Sequence, residues 1–284
     1  MCGKPLLNAF FTPPSIFLYM ELNKIYNECC LETMSKMKDG IVDLVVTSPP
    51  YDDLRHYNGF SFEFEQIAGE LFRVLAKNGV LVWIVGDSTK NGNESGTSFR
   101  QALYFQKVGF SLYDTMIYQK IGTSSPQKPA LRYKHSFEYM FVFCKGQRPK
   151  SINLIKTTNK ERNRQFETAS KVQRNGNILR HSYQIESESI LPNVWLVDAT
   201  NGARESSGIH PAAFPEILPE RHIFTWSSKG DLVYDPFGGS GTTAKAAHKL
   251  ERNWILSEVS KEYCDAAENR LYPYLSVHSL FSCV

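Results

Sequence analysis

The chain has 284 residues, 42% of them hydrophobic and 21% charged, with a formal net charge of +3. That length suits one large domain or a domain with an insertion, and it supplies enough apolar material for a proper core. No apolar stretch is long and clean enough to span a bilayer. The six cysteines form no CxxC pair and have no histidine at zinc spacing, which argues against a disulfide scaffold or a metal site and fits a reducing cytoplasm.

Residues 1–19 are apolar in patches, are broken by Pro5, Pro13 and Pro14, and lack the layout of a signal peptide. Met20-Glu21-Leu22-Asn23 reads as a natural chain start, so residues 1–20 are set apart as an N-terminal extension. Residues 23–28 read as a short strand ending in Glu28, with Cys29 after it. A helix over 31–38 and an Asp39-Gly40 turn lead into the β-branched apolar run 41–46, which has the character of a buried strand. That strand runs into Thr47-Ser48-Pro49-Pro50-Tyr51. Two consecutive prolines stop the strand and stiffen the turn, because each fixes φ and lacks an N–H. Open α/β sheets place their chemistry at such corners, at the carboxyl ends of central strands. Taken alone, the motif also has the look of a simple strand terminator.

Residues 52–64 are polar and aromatic, with Arg55, His56 and Tyr57, and read as a loop over the corner. The spacing of Ile67, Leu71, Val74 and Leu75 predicts a helix over 64–75, closed by Asn78-Gly79. Residues 80–85 form a second buried strand that ends in Gly86-Asp87. The Gly/Asn/Ser-rich stretch 91–98 reads as a mobile loop, 99–108 as a helix, and 114–119 and 138–144 as strands.

Residues 145–181 differ in kind. Lys145, Arg148, Lys150, Lys156, Lys160, Arg162, Arg164, Lys171, Arg174 and Arg180 face only Glu161 and Glu167, a local balance of +8 that leaves −5 for the remaining chain. With few apolar residues the segment cannot build its own core. It reads as a basic insertion turned toward phosphate; a solvated charged loop is the plainer alternative. Residues 191–197 are strand-like, and His210-Pro211-Ala212-Ala213-Phe214-Pro215-Glu216 leads into a helix over 217–224 with Pro211 near its start.

Leu232-Val233-Tyr234-Asp235 is the next strand. Pro236-Phe237-Gly238-Gly239-Ser240-Gly241 turns into a helix over 242–250 that opens with Thr242 and Thr243. A strand over 254–258 then ends in Glu258, and 261–271 closes as an amphipathic helix. Strand, glycine turn, helix and acid-ended strand are the grammar of βαβ nucleotide binding. The glycines let backbone approach a ligand closely. Glu258 follows Gly239 by 19 residues, close to the roughly 20 expected of an acid that bonds ribose hydroxyls. Thr242 stands where a Walker loop needs lysine, and the glycine spacing is not that of a dinucleotide fingerprint. Asp235 beside the turn suits a cationic ligand, such as the sulfonium and ammonium of S-adenosylmethionine. Phe237 either packs on the cofactor or fills the core.

Ser-Pro-Pro-Tyr after a hydrophobic strand, together with Asp-Pro-Phe-Gly-Gly-Ser-Gly-Thr-Thr downstream, resembles the DNA amino-methyltransferases, which methylate N4 of cytosine or N6 of adenine. The resemblance covers roughly residues 22–272. It implies an α/β fold with a Rossmann-like, S-adenosylmethionine-dependent methyltransferase sheet, and a catalytic motif that precedes the cofactor motif, as in the circularly permuted beta class. On that basis 21–144 is the catalytic half, 145–205 the target-recognition insertion and 206–284 the cofactor half. It assigns catalysis to Ser48, Pro49, Pro50 and Tyr51. It assigns the cofactor to Glu28, Cys29, Thr47, Asp235, Phe237, Gly238, Gly239, Ser240, Gly241, Thr242, Thr243 and Glu258, with Asn27-Glu28 replacing the family's usual Gly-Asp pair. The His-Pro…Phe-Pro-Glu helix resembles the one that shapes the pocket for the cofactor's methionine end. DNA contacts are expected from Arg55 and from the ten cations of the basic segment.

The chemistry fits these residue types. An exocyclic amino nitrogen is a poor nucleophile until two acceptors draw on its N–H bonds, and Ser48 Oγ and the Pro49 carbonyl can be those acceptors while Tyr51 stacks on the base. No metal and no covalent intermediate are needed; none of the cysteines follows a proline, so the carbon-methylating route is disfavoured. The base has to be flipped out of double-stranded DNA to be reached. Serine at the motif's first position points to N4 of cytosine, with N6 of adenine the alternative. A catalytically silent DNA-binding or specificity protein is the alternative from another class, and methylation of RNA or protein a weaker third. A cytoplasmic monomer or homodimer, accompanied by a cognate restriction endonuclease, completes the expectation.

Overall fold

The computed structural model describes residues 20–50, 62–121, 133–158, 166–172, 178–184, 188–201 and 214–281. Tyr51, Arg55, Lys160, Arg162, Arg164, Arg174, residues 1–19 and the 210–213 stretch lie outside the described residues. Lys171 and Arg180 are described in their backbone only.

The first half of the chain runs β1 (Lys24–Tyr26), α1 (Cys30–Lys36), β2 (Val42–Thr47), α2 (Phe64–Val74), β3 (Leu75–Val85), a small ribbon of β4 (Thr89–Lys90) and β5 (Asn93–Glu94), α3 (Thr97–Val108), β6 (Ser111–Ile121) and β7 (Phe137–Cys144). Short strands β8 (Lys156–Thr158), β9 (Phe166–Val172), β10 (Ile178–Gln184) and β11 (Glu188–Ile190) follow, then β12 (Val194–Asp198). The last part is α4 (Ile217–Trp226), β13 (Leu232–Asp235), α5 (Thr242–Lys249), β14 (Asn253–Ser257) and α6 (Lys261–Phe281).

Eight strands form one sheet in the order β1-β14-β13-β2-β3-β7-β6-β12. β7 alone runs against its neighbours; the other strands are parallel. Parallel strands buried on both faces need nearly unbroken apolar runs, and β2, β3 and β13 supply them. One face packs Leu81, Trp83, Phe141 and Phe143 against α1, α2 and α3; the other packs Leu44, Val46, Val82 and Met140 against α4, α5 and α6. Ile67, Ala68, Leu71 and Val74 line the buried face of α2. Chain order reverses between β13 and β2, the topological switch point, where ligands bind in open sheets.

Four elements differ from expectation. The helix over 64–75 ends at Val74, and β3 begins at once at Leu75; Asn78, at φ 62, makes an irregularity inside the strand and donates its N–H to Lys145 O at 2.8 Å. The 91–98 stretch holds the turn and second strand of the β4–β5 ribbon, with Asn91 (φ 52) and Gly92 (φ 79) at the turn, and the start of α3. Its return is tied to Asp87, which accepts from Ser95 Oγ and the Ser98 N–H, both at 3.0 Å. β12 lies inside 145–205, yet it joins the main sheet beside β6 and buries Trp195 and Val197. Finally, α6 continues through Pro273 to Phe281.

Candidate active site

The carboxyl ends of β2 and β13 meet at the switch point. Thr47 Oγ1 donates to Asp235 Oδ1 at 2.6 Å, Thr243 Oγ1 to Asp235 Oδ2 at 2.7 Å, and the Phe237 N–H to Oδ1 at 3.0 Å. Asp235 therefore joins the strand that carries Ser48 to the glycine turn. It was expected to face a cationic ligand; three donors of the protein already hold it. Burial pushes its carboxyl up to about 6, while the two threonine hydroxyls and the Phe237 N–H hold it back down. Ser48 and Pro50 are half-buried and Pro49 is buried, directly after Thr47.

The glycine turn is shaped from behind. A Cβ on Gly238 would come within 2.9 Å of Leu256 Cβ, and one on Gly241, at φ +79, within 3.0 Å of Ala267 Cβ. Gly239 has φ 50 and donates its N–H to Glu258 Oε2 at 2.9 Å. The other oxygen of Glu258 accepts the Ser260 N–H at 2.8 Å. Burial raises the Glu258 carboxyl, opposed by these backbone donors. Ser240, Thr242 and Thr243 are buried. Asn27 Nδ2 donates to the carbonyls of Glu258 (2.9 Å) and Val259 (3.1 Å), so the end of β1 is fastened to the same acid.

Glu28 is placed differently from Glu258. Its carboxylate accepts from Thr33 Oγ1 at 2.9 Å and pairs with Lys36, both on α1. Cys29 caps α1 and packs, half-buried, on the core. Phe237 is also core material: its ring lies 5.7 Å from Phe62 and 6.2 Å from Trp83. Sequence reasoning named Asn27 only as the partner of Glu28 in the pair that replaces Gly-Asp, without its amide's hold on Glu258 and Val259, and it missed Arg270.

Three of the basic residues do not come to this end of the sheet. Because β7 runs in reverse, the turn after Cys144 lies at the amino ends of the parallel strands. There Lys145 Nζ donates to Leu75 O (2.8 Å) and Arg73 O (3.3 Å), and Lys150 pairs with Asp43 (2.6 Å) and Asp231 (3.0 Å). Arg148 is exposed in the same turn. Lys156 pairs with Glu188 across β8 and β11 at 3.5 Å.

S-adenosylmethionine, a sulfonium ribonucleoside with an ammonium group, suits these acceptors. Two buried carboxylates, Asp235 and Glu258, flank the glycine turn, and no cation among the described residues pairs with either. A pyrophosphate would be repelled there. Among the described residues no group of three potential metal ligands occurs, and no helix is long and apolar enough to cross a membrane.

The N6/N4 methyltransferase family model, described as DNA methylase, matches residues 42–269. The orphan methyltransferase M.BamHII of Bacillus amyloliquefaciens is 49% identical over 249 residues, covering 84% of this chain and 92% of that protein. The Type II methyltransferase M.BglII of Bacillus subtilis is 30% identical over 269 residues, covering 89% and 70%. Among solved structures, the cytosine-N4-specific PvuII DNA methyltransferase shares the fold with a TM-score of 0.64 at 23% identity, over 90% of each chain. The DNA modification methylase TTHA0409 of Thermus thermophilus, complexed with S-adenosyl-L-methionine, does so with a TM-score of 0.60 at 24% identity, over 88% and 93%. The chain belongs to the N4/N6 family of DNA amino-methyltransferases, enzymes that take their methyl group from S-adenosylmethionine.

Proposed function

We propose that this enzyme methylates N4 of cytosine within a specific sequence of double-stranded DNA. The observation that carries it is the link from Thr47 to Asp235, which fixes the start of the Ser48-Pro49-Pro50 corner against the cofactor turn. When bound, S-adenosylmethionine supplies an electrophilic methyl group. Ser48 Oγ and the Pro49 carbonyl accept from the two N–H bonds of the target amino group and make its nitrogen more tetrahedral. Tyr51 stacks on the flipped base. Glu258 bonds the ribose hydroxyls, Gly238 and Gly239 let the backbone close on the cofactor, and Asp235 keeps the two motifs in register. These residues would hold the target nitrogen beside the cofactor's methyl group, and that positioning would contribute most of the rate.

Serine in the motif supports cytosine over adenine. Arg55 and the basic segment, from Lys156 onward, neutralise phosphates, and loops around them read base edges. M.BamHII is an orphan methyltransferase and M.BglII a Type II methyltransferase, and a cognate endonuclease as partner of this chain is part of the proposal.

The test is mass spectrometry of nucleosides from unmethylated DNA incubated with the protein and S-adenosylmethionine. N4-methylcytosine is expected, and Ser48→Ala should lower its formation by at least roughly a hundredfold, the scale of losing a transition-state acceptor. N6-methyladenine would overturn the base assignment and leave the acceptor mechanism standing.

A further inference from the structure

Arg270 on α6 reaches back to the cofactor turn. Its Nη1 donates to Thr242 Oγ1 at 2.9 Å, to the Ser240 carbonyl at 3.3 Å and to Ser240 Oγ at 3.4 Å. Its Nη2 donates to Glu216 Oε2 at 3.4 Å. Glu216 sits at the start of α4, in the Phe214-Pro215-Glu216 segment, and also pairs with Lys245 at 2.7 Å and with Lys249, both on α5. The side chains of Glu216, Arg270 and Lys245 are only 8%, 13% and 14% exposed. Three helices and the glycine turn thus share one buried ionic hub.

The members of such a hub are not independent. A buried carboxylate stripped of its cations is costly, and so is a buried guanidinium stripped of its acceptors. Burial opposes ionisation of Glu216, but Lys245 and Lys249 win and hold its pKa below the usual range, so the carboxylate stays charged. The Nε of Arg270 is buried and finds no partner among the described residues. A guanidinium that leaves one donor unmet is oriented by its other contacts, here those to the turn and to Glu216. Those contacts bracket Gly241, which has no side chain of its own and sits at φ +79. Arg270 holds Ser240 and Thr242 on either side of it, supplying from outside the restraint that the glycine lacks. None of the four charged groups is among the donors and acceptors that line the turn at Asp235 and Glu258.

We infer that Arg270 and Glu216 form a positioning clamp: it sets the glycine turn for the cofactor and couples the turn to the start of α4, so affinity for S-adenosylmethionine depends on an ion pair that does not touch it. The clamp rests on the cofactor assignment and is independent of which base is methylated. The test is calorimetric titration of the full chain with S-adenosylhomocysteine, with a melting curve for each variant. Arg270→Met and Glu216→Gln should each raise Kd roughly tenfold, the scale of one charged hydrogen bond lost. Arg270→Lys should recover part of that, and the double variant Arg270→Met/Glu216→Gln should bind about as weakly as either single one. A wild-type chain that fails to bind S-adenosylhomocysteine would refute the cofactor assignment itself, which separates that failure from failure of the clamp. Unchanged Kd in Arg270→Met and Glu216→Gln, or losses that simply add, would overturn the clamp. If Arg270→Met does not fold, Arg270→Lys and Glu216→Gln decide: wild-type Kd in both overturns it.

Discussion

Asp235 carries a charge where water cannot reach it, and three hydrogen bonds do not fully offset that burial. Its carboxyl, raised to about 6 in the folded chain, has an ordinary value near 3.9 when unfolded. A carboxyl raised by folding contributes stability below the unfolded pKa and loses it as pH climbs through the folded one. Unfolding free energy should therefore decline between about pH 4 and pH 6, by about 3 kcal/mol from this group. In Asp235→Asn that component is gone, so the wild-type-minus-variant difference in urea denaturation should fall by a similar amount over the same window. A difference that stays flat with pH would mean the carboxyl titrates normally. At this scale the sequence was legible in type more than in task. Asp235 and Glu258 stand beside the glycine turn as their spacing implied, but Asp235 spends its oxygens on Thr47, Thr243 and Phe237. Glu28, an acid at a strand end like Glu258, is held by its own next helix. Nothing local announces Arg270, because its partners lie 28, 30 and 54 residues away.

At the scale of elements, the strands at the heart of the sheet were plain in the sequence because burial on both faces leaves them little choice of residue. Errors arose where punctuation was ambiguous. Asn78-Gly79 has the composition of a helix stop, yet the pairing of β3 with β2 extends across it to Val42. Pro273 has the look of a helix end, yet α6 absorbs it, and the Tyr274 carbonyl beyond it lies 3.2 Å from His248 Nε2. The glycine turn has little freedom to vary. Gly241→Ala would place a Cβ 3.0 Å from Ala267 Cβ on a backbone at φ +79. We expect a loss of about 2 kcal/mol in unfolding free energy, with weakened S-adenosylhomocysteine binding. Wild-type stability for that variant would show that the α5–α6 packing relaxes freely.

For the molecule as a whole, charge placement separates two kinds of lysine that the sequence could not tell apart. Reversal of β7 carries Lys145 and Lys150 to the amino ends of the strands, where carbonyls and the carboxylates of Asp43 and Asp231 receive them. Removing either should leave the salt dependence of DNA binding unchanged. If the basic segment contacts phosphates as proposed, each cation removed from 160–180, Arg164 or Arg174 for example, should lower the slope of log K against log salt by about one. Equal slopes for Lys150→Ala and for the Arg164 variant, both reduced, would put the amino end of the sheet on DNA. The permuted order of the motifs was legible from the sequence, since it depends only on which motif comes first.

That order has a consequence for how the enzyme comes into being. Thr47 and Asp235, bonded at the switch point, are 188 residues apart, and β1 pairs with β14 across a still longer span. Contacts of such long range form slowly and late. A ribosome that has already released the Ser-Pro-Pro-Tyr corner has not yet made the strand against which that corner is set. On the proposed role of Glu258, the growing polypeptide should stay without activity until that residue has emerged, and a product ended before it should be inert rather than indiscriminate.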